Sequence, residues 1–204
     1  GQRKDMDADM LKVFSDVLTD MEKECRVLSK TFLNDSAVNS RLRGVGFLTK
    51  EQAHDLGAVG PFMRASGIAL DNRKLGYAAY PEIDFEPITS DIGDCYARCD
   101  VRIQEIFQSM DIIRQAISKI PDGEVAVPVK GLPEGEYMMR VEQPRGEAIY
   151  YVKANGTKFL DRVRVRTPTF ANLPGMLSTL KGCELADVPI LILTIDPCIS
   201  CTER

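Results

Sequence analysis

The sequence has one histidine, His54, only six cysteines in 204 residues, and no apolar run long enough to cross a bilayer. Each scarcity excludes something. A lone imidazole offers no second histidine for acid–base work, and His54 reads as a helix-surface residue. Cysteines at 25, 95, 99, 183, 198 and 201 are too sparse for a disulfide scaffold, which a chain of this length does not need, so we read a reducing compartment. The longest mostly apolar stretch, 188–195, is broken by Pro189 and Thr194 and falls far short of the ~20 residues a membrane span requires. A formal charge of -4 lacks the basic footprint of a nucleic-acid binder, and 44% apolar content argues against disorder. The charged opening residues are no signal peptide. Internal repeats and low-complexity linkers are missing, so residues 1–204 read as one domain. There is no initiating methionine and a helix opens almost at once, from which we expect a piece trimmed at its front.

Apolar residues Met10, Val13, Phe14, Val17, Leu18, Met21, Cys25 and Leu28 fall at helical spacing and predict a helix with one buried face. A second series, Ile92, Tyr96, Cys99, Ile103, Ile106, Met110, Ile113, Ile117 and Ile120, alternates steps of four and three and predicts a long helix with a narrow seam. It should stop at Pro121-Asp122-Gly123. The two helices should pack on each other or on a shared partner. Thr49 and Gln52 are spaced as a capping box for a short helix over 50–56. Beyond Pro133 the period becomes two: 137–142, 147–153 and 158–166 read as an antiparallel meander, with Ala154-Asn155-Gly156 closing a hairpin. Val163 and Val165 should face inward, with Arg162, Arg164 and Arg166 outward as a solvated face. A short helix after Asn172 should end near Gly182 and lead into a buried strand at 188–195. The expected fold is α+β and mainly α: a long-helix core over 1–122, a small meander in 133–170, and a terminal segment at 188–204.

Cys198 and Cys201 close the chain as a C-x-x-C pair. That spacing lets two thiolates face one metal ion, or lets one attack the other in a redox disulfide, and it also arises by chance.

Asp196-Pro197-Cys198-Ile199-Ser200-Cys201 after an apolar segment resembles the distal nickel-ligand motif of [NiFe] hydrogenase large subunits. Segments 60–67, 71–74, 91–98 and 143–147 (Gln-Pro-Arg-Gly-Glu) also resemble ones shared by energy-converting hydrogenases and the quinone-site subunit of NADH:quinone oxidoreductase. The terminal cysteines decide for the hydrogenase branch, because the quinone-site subunit lacks them. The resemblance implies a large-subunit fold with a core bundle of long helices and small sheets at its side. It implies a Ni-Fe(CN)2CO centre in the complete subunit, with Cys198 a terminal nickel ligand and Cys201 a bridge between the metals. Soft thiolates suit such a site. A second C-x-x-C is missing from this sequence, so the chain alone should hold no such centre.

The same resemblance places Arg145 over the open metal position, with Asp196 as its carboxylate partner. Pro168 and Thr169 would support a cyanide ligand, although Thr-Pro-Thr is also an ordinary turn. Arg204 stands where related hydrogenases often carry histidine, and there it implies a terminus cut by a maturation endopeptidase. Partners implied are an iron–sulfur small subunit and membrane subunits, holding the chain to the cytoplasmic face of the cell membrane. Two alternatives remain: a quinone-binding subunit, and a non-catalytic interaction module carrying adventitious zinc. Cys95 and Cys99 could join Cys198 and Cys201 in a Cys₄ zinc site, but Cys99 lies in the apolar seam and reads as core. Asp91 and Asp94 read as caps of the second helix.

Overall fold

The computed structural model describes residues 4–203. A long helix, α1 (Ala8–Asn34), starts at Asp7, whose carboxylate accepts from the Met10 N–H, and is followed by α2 (Ser36–Leu42). The Thr49/Gln52 capping box opens α3 (Lys50–Asp55) as expected, and Pro61 starts the one-turn α4 (Pro61–Arg64). The second long helix, α5 (Cys95–Lys119), is capped by Asp94, which accepts from the Ala97 N–H. Asp91 and Ile92 lie outside it, so Asp91 is no cap: the sharp turn at Gly93 (φ +77°) separates them from the helix.

Three antiparallel strands follow in the order β1 (Glu134–Gln143), β2 (Gly146–Asn155) and β3 (Leu160–Arg166). The chain then forms α6 (Pro168–Leu180), α7 (Val188–Leu193) and the single turn α8 (Ile199–Thr202). The fold is α+β and mainly helical, as the sequence pattern predicts.

Several local expectations need correction. The 188–195 segment is a helix with Pro189 in its first turn, not a strand; it buries Leu191 and Ile195 and exposes Leu193. A short apolar run has no periodicity to separate strand from helix. α6 starts at Pro168 rather than after Asn172, because proline is preorganised for a helix's first turn. The apolar face of α1 is not buried: only Leu18 is, while Phe14, Val17, Met21 and Leu28 are exposed. α1 does pack on α5, helped by an Arg114–Glu22 ion pair and by Arg26 over the Phe107 ring. The three strands pair as the expected antiparallel meander, but burial does not alternate along them: Val163 is 51% exposed, with nothing among the described residues covering that face. Arg166 is only partly turned to solvent. Its side chain turns to buried Glu147 at 2.8 Å.

The core sits where the short helices meet. Leu48, Ala53, Ala58, Phe62, Met63 and Ile195 form one cluster, and Leu42, Cys95 and Leu191 another. Burying each large side chain contributes about 1.5–3 kcal/mol. Fully buried Arg98 links the clusters. It lies 4.7 Å from the Phe62 ring and donates to the carbonyls of Gly46 and Gly93 and to Thr194. No carboxylate among the described residues forms an ion pair with it, and burial, only partly offset by nearby Asp94, pushes its pKa down to about 10.

Candidate metal-ligand site

Two backbone features aim the site. The first is the contact of Gly60, which opens α4, with Gly146, which opens β2. A Cβ on Gly60 would meet the Gly146 Cα at 2.3 Å, and one on Gly146 would meet the Gly60 Cα and N at 2.8 Å; both residues have positive φ, +68° and +127°. Only glycine permits this approach. It presses the β1–β2 turn, Pro144-Arg145 between paired Gln143 and Gly146, against the core. The second is Asp196, a non-glycine residue at φ +56°, held there by buried Ile195 before it and Pro197 after it.

These features bring Arg145 and Asp196 together. Arg145 Nε donates to the Asp196 carbonyl at 3.0 Å, and an Nη lies 3.3 Å from its carboxylate. Beyond Pro197, the Cys198 N–H donates to Thr169 Oγ1 at 3.2 Å, and Thr167 Oγ1 donates to the Cys201 carbonyl. The start of α6 thus supports both ends of the C-x-x-C turn. Thr169 and Pro168 are fully buried beneath it.

The two thiols are coupled. The Cys201 N–H and then its thiol stabilise a Cys198 thiolate, with Arg145 adding a favourable charge, so Cys198 lies below the ordinary thiol range. Burial first, and the neighbouring Cys198 second, push Cys201 above it. Thr169 also bonds the Cys201 thiol. The geometry therefore sets two thiols beside each other near a guanidinium–carboxylate pair.

Cys95 and Cys99 do not join them, which removes the Cys₄ zinc reading. Cys95 is buried against Thr194 at 3.7 Å, burial raises both thiols, and no group of three or more metal-ligating side chains forms among the described residues. His54 pairs only with its exposed neighbour Asp55. Among the described residues, the donors that could suit a soft metal here amount to two thiols.

Sequence reasoning missed Thr167 and a group of charges beside the site. A cleft of about 480 Å³ runs between α1 and α5; Asp196, Arg102, Glu105, Arg64 and Glu142 line it, with Met21, Ile106 and Ile113 along its apolar side. Spacing gave no sign of this grouping, because its members come from separate segments.

Residues 1–132 and 128–204, together the whole chain, match the family described as "Respiratory-chain NADH dehydrogenase, 49 Kd subunit". The chain belongs to that family. Relatives of this 49 kDa-subunit member include the "Carbon monoxide-induced hydrogenase" of Rhodospirillum rubrum, 39% identical across 100% of the chain and 57% of the relative. The "Membrane-bound hydrogenase subunit alpha" of Pyrococcus furiosus is 38% identical across 100% and 50%, and an NADH-quinone oxidoreductase subunit of Thermosipho melanesiensis is 33% identical across 100% and 58%. A chain in the solved "membrane-bound sulfane sulfur reductase (MBS), an archaeal respiratory membrane complex" superposes with a TM-score of 0.92 at 30% identity, over 100% of this chain and 57% of that one. The chain spans about half the length of the curated relatives it matches. No helix among its described residues is long and apolar enough to cross a membrane.

Proposed function

We propose that this chain is part of the catalytic large subunit of an energy-converting [NiFe] hydrogenase, an oxidoreductase that interconverts H2 with protons and electrons. The observation that carries the reading is the Cys198/Cys201 pair beside the Arg145–Asp196 contact. Relatives named as hydrogenases support it at 38–39% identity. Cys198 and Cys201 would hold the nickel–iron group, which would supply the redox and Lewis-acid chemistry for splitting H2. The chain's own residues would do the rest. Arg145 presents a fixed cation at the site, Asp196 orients that cation, and the threonines of α6 hold the thiol turn. A second thiol pair must come from outside residues 4–203. An iron–sulfur small subunit would take the electrons, and membrane subunits would couple them to ion movement.

A second reading is a quinone-site subunit, favoured by the cleft beside Asp196, whose apolar side and charged wall suit an amphipathic ring, and by relatives named as NADH-quinone oxidoreductase subunits. Elemental analysis separates the readings. The chain and a longer polypeptide, each produced with hydrogenase maturation proteins, would be assayed for nickel, iron and zinc. Nickel with iron in the longer polypeptide supports the hydrogenase reading. Zinc alone, or no metal with quinone-dependent turnover, overturns it.

A further inference from the structure

Two buried carboxylates face each other across the β1–β2 hairpin with opposite charge balances. Glu147 is held by two guanidiniums, Arg140 and Arg166. Its partner Glu142 shares a single guanidinium: Arg64 reaches Glu142 with Nη1 at 2.8 Å and Glu105 with Nε at 2.7 Å. Arg64 is 1% exposed and the Glu142 side chain 5%, so water screens little of this imbalance.

The surrounding groups do not correct it. Asp71 comes within 3.6 Å of Arg64, but its own charge is met by Arg73 at 2.6 Å. Within hydrogen-bond reach, Arg73 serves Asp71 while Arg64 alone meets both Glu105 and Glu142. Asn72 donates twice to Glu142, whereas the Tyr77 hydroxyl accepts from the Glu142 N–H and gives the carboxylate nothing. Arg102 and Tyr80 line the same cleft. Arg102 donates to the Arg98 carbonyl; its charge favours Asp196 and Glu105, and it forms no ion pair with Glu142. Burial, the first cause, and Asp71 hold the Glu142 carboxyl above the usual range. A buried carboxylate without its own counter-charge is relieved by binding a proton.

We propose that the Glu105–Arg64–Glu142 cluster is a proton-holding station, at which Glu142 takes up one proton from the cleft it shares with Asp196 and returns it there. The step is a carboxylate plus a proton giving a carboxylic acid; no other bond changes. It rests on the proposed function only in that the reaction at the site releases or consumes protons.

Infrared spectra of the chain, recorded against pH in H2O and D2O, test the station without turnover. Expected is a protonated-carboxyl band that persists above the ordinary carboxylate range, is lost in Glu142→Gln and is retained in Glu147→Gln. If Glu142→Gln does not fold, Glu105→Gln gives Arg64 to Glu142 alone and should move the band to lower pH. Absence of the band, or a band that neither substitution moves, overturns the proposal. In the complete metal-loaded complex, Glu142→Gln should slow H2–D2O exchange on the order of tenfold or more with nickel and iron content unchanged. Unchanged exchange overturns the relay role. Loss of the metal reading would leave the infrared result standing, so the two failures are distinguishable.

Discussion

Arg145 grips Asp196 twice, through the backbone carbonyl at 3.0 Å and the carboxylate at 3.3 Å. The pair joins a hairpin turn to a terminal segment 51 residues later, and the Gly60–Gly146 contact lies directly behind the turn. Arg145 presents a planar guanidinium and Asp196 is held in a left-handed backbone, so the contact is preorganised rather than assembled on demand.

Gly60→Ala should therefore damage the site more than its distance from the thiols suggests. Its added methyl would fall 2.3 Å from the Gly146 Cα, and φ +68° adds strain of about 1–3 kcal/mol. Urea unfolding should show a loss at least that large. Gly44→Ala has the same sign of φ but open space around it, and should cost about 1 kcal/mol.

Breaking the Glu147 cluster should destabilise by a different route. Glu147 is buried, but Arg140 and Arg166 are each about two-fifths exposed, so solvent takes up part of their lost pairing. Glu147→Ala should cost about 2–3 kcal/mol in chemical denaturation, from the unpaired Arg166 nitrogens and the lost packing. Glu136→Ala removes an exposed contact to Lys153 and should leave the denaturation midpoint almost unchanged.

Much of this frame is legible in the sequence. The four–three spacing from Tyr96 onward, the Thr49/Gln52 box and the period-two stretches locate α5, α3 and the meander, and Arg145, Asp196, Cys198 and Cys201 stand in motifs that point to one another. The misreadings have a common cause. The 188–195 run is apolar on every side, so periodicity cannot choose helix or strand. The apolar faces of α1 and β3 are genuine patterns, but a pattern states what a face can bury and not whether this chain supplies the cover. The Arg64 cluster is invisible in sequence because Asp71, Glu105 and Glu142 are far apart and each looks like an ordinary surface charge.

The buried carboxylates predict a pH dependence of stability with two limbs of opposite sign. Asp71 is held below the ordinary range, burial opposing but Arg73 and Arg64 prevailing. Its contribution is present above about pH 3.9 and is lost as pH falls through its folded value. Glu142 is raised, so the folded state binds the extra proton; its contribution is full below about pH 4.3 and is lost as pH rises through its folded value. Urea midpoints measured against pH should show the acid limb flattened in Asp71→Asn and the upper limb flattened in Glu142→Gln. Asp71→Asn should also cost about 3 kcal/mol near neutral pH, since it strips Arg73 of its partner.

The thiol pair predicts an order of modification in the metal-free chain. Cys198 is favoured as thiolate by the Cys201 N–H and thiol and by Arg145, whereas burial and the adjacent Cys198 hold Cys201 protonated. Limited iodoacetamide at neutral pH, followed by peptide mass mapping, should label Cys198 before Cys201, with buried Cys95 slower than either. Arg145→Met should slow Cys198 labelling severalfold at pH 7 and much less at pH 9, where the thiolate no longer needs the neighbouring cation. Cys201→Ala should act in the same direction, because it removes one of the donors to the Cys198 sulfur. Equal labelling of both cysteines, or a rate at Cys198 indifferent to Arg145, would show that the charge at this turn is set by solvent exposure alone and not by the guanidinium above it.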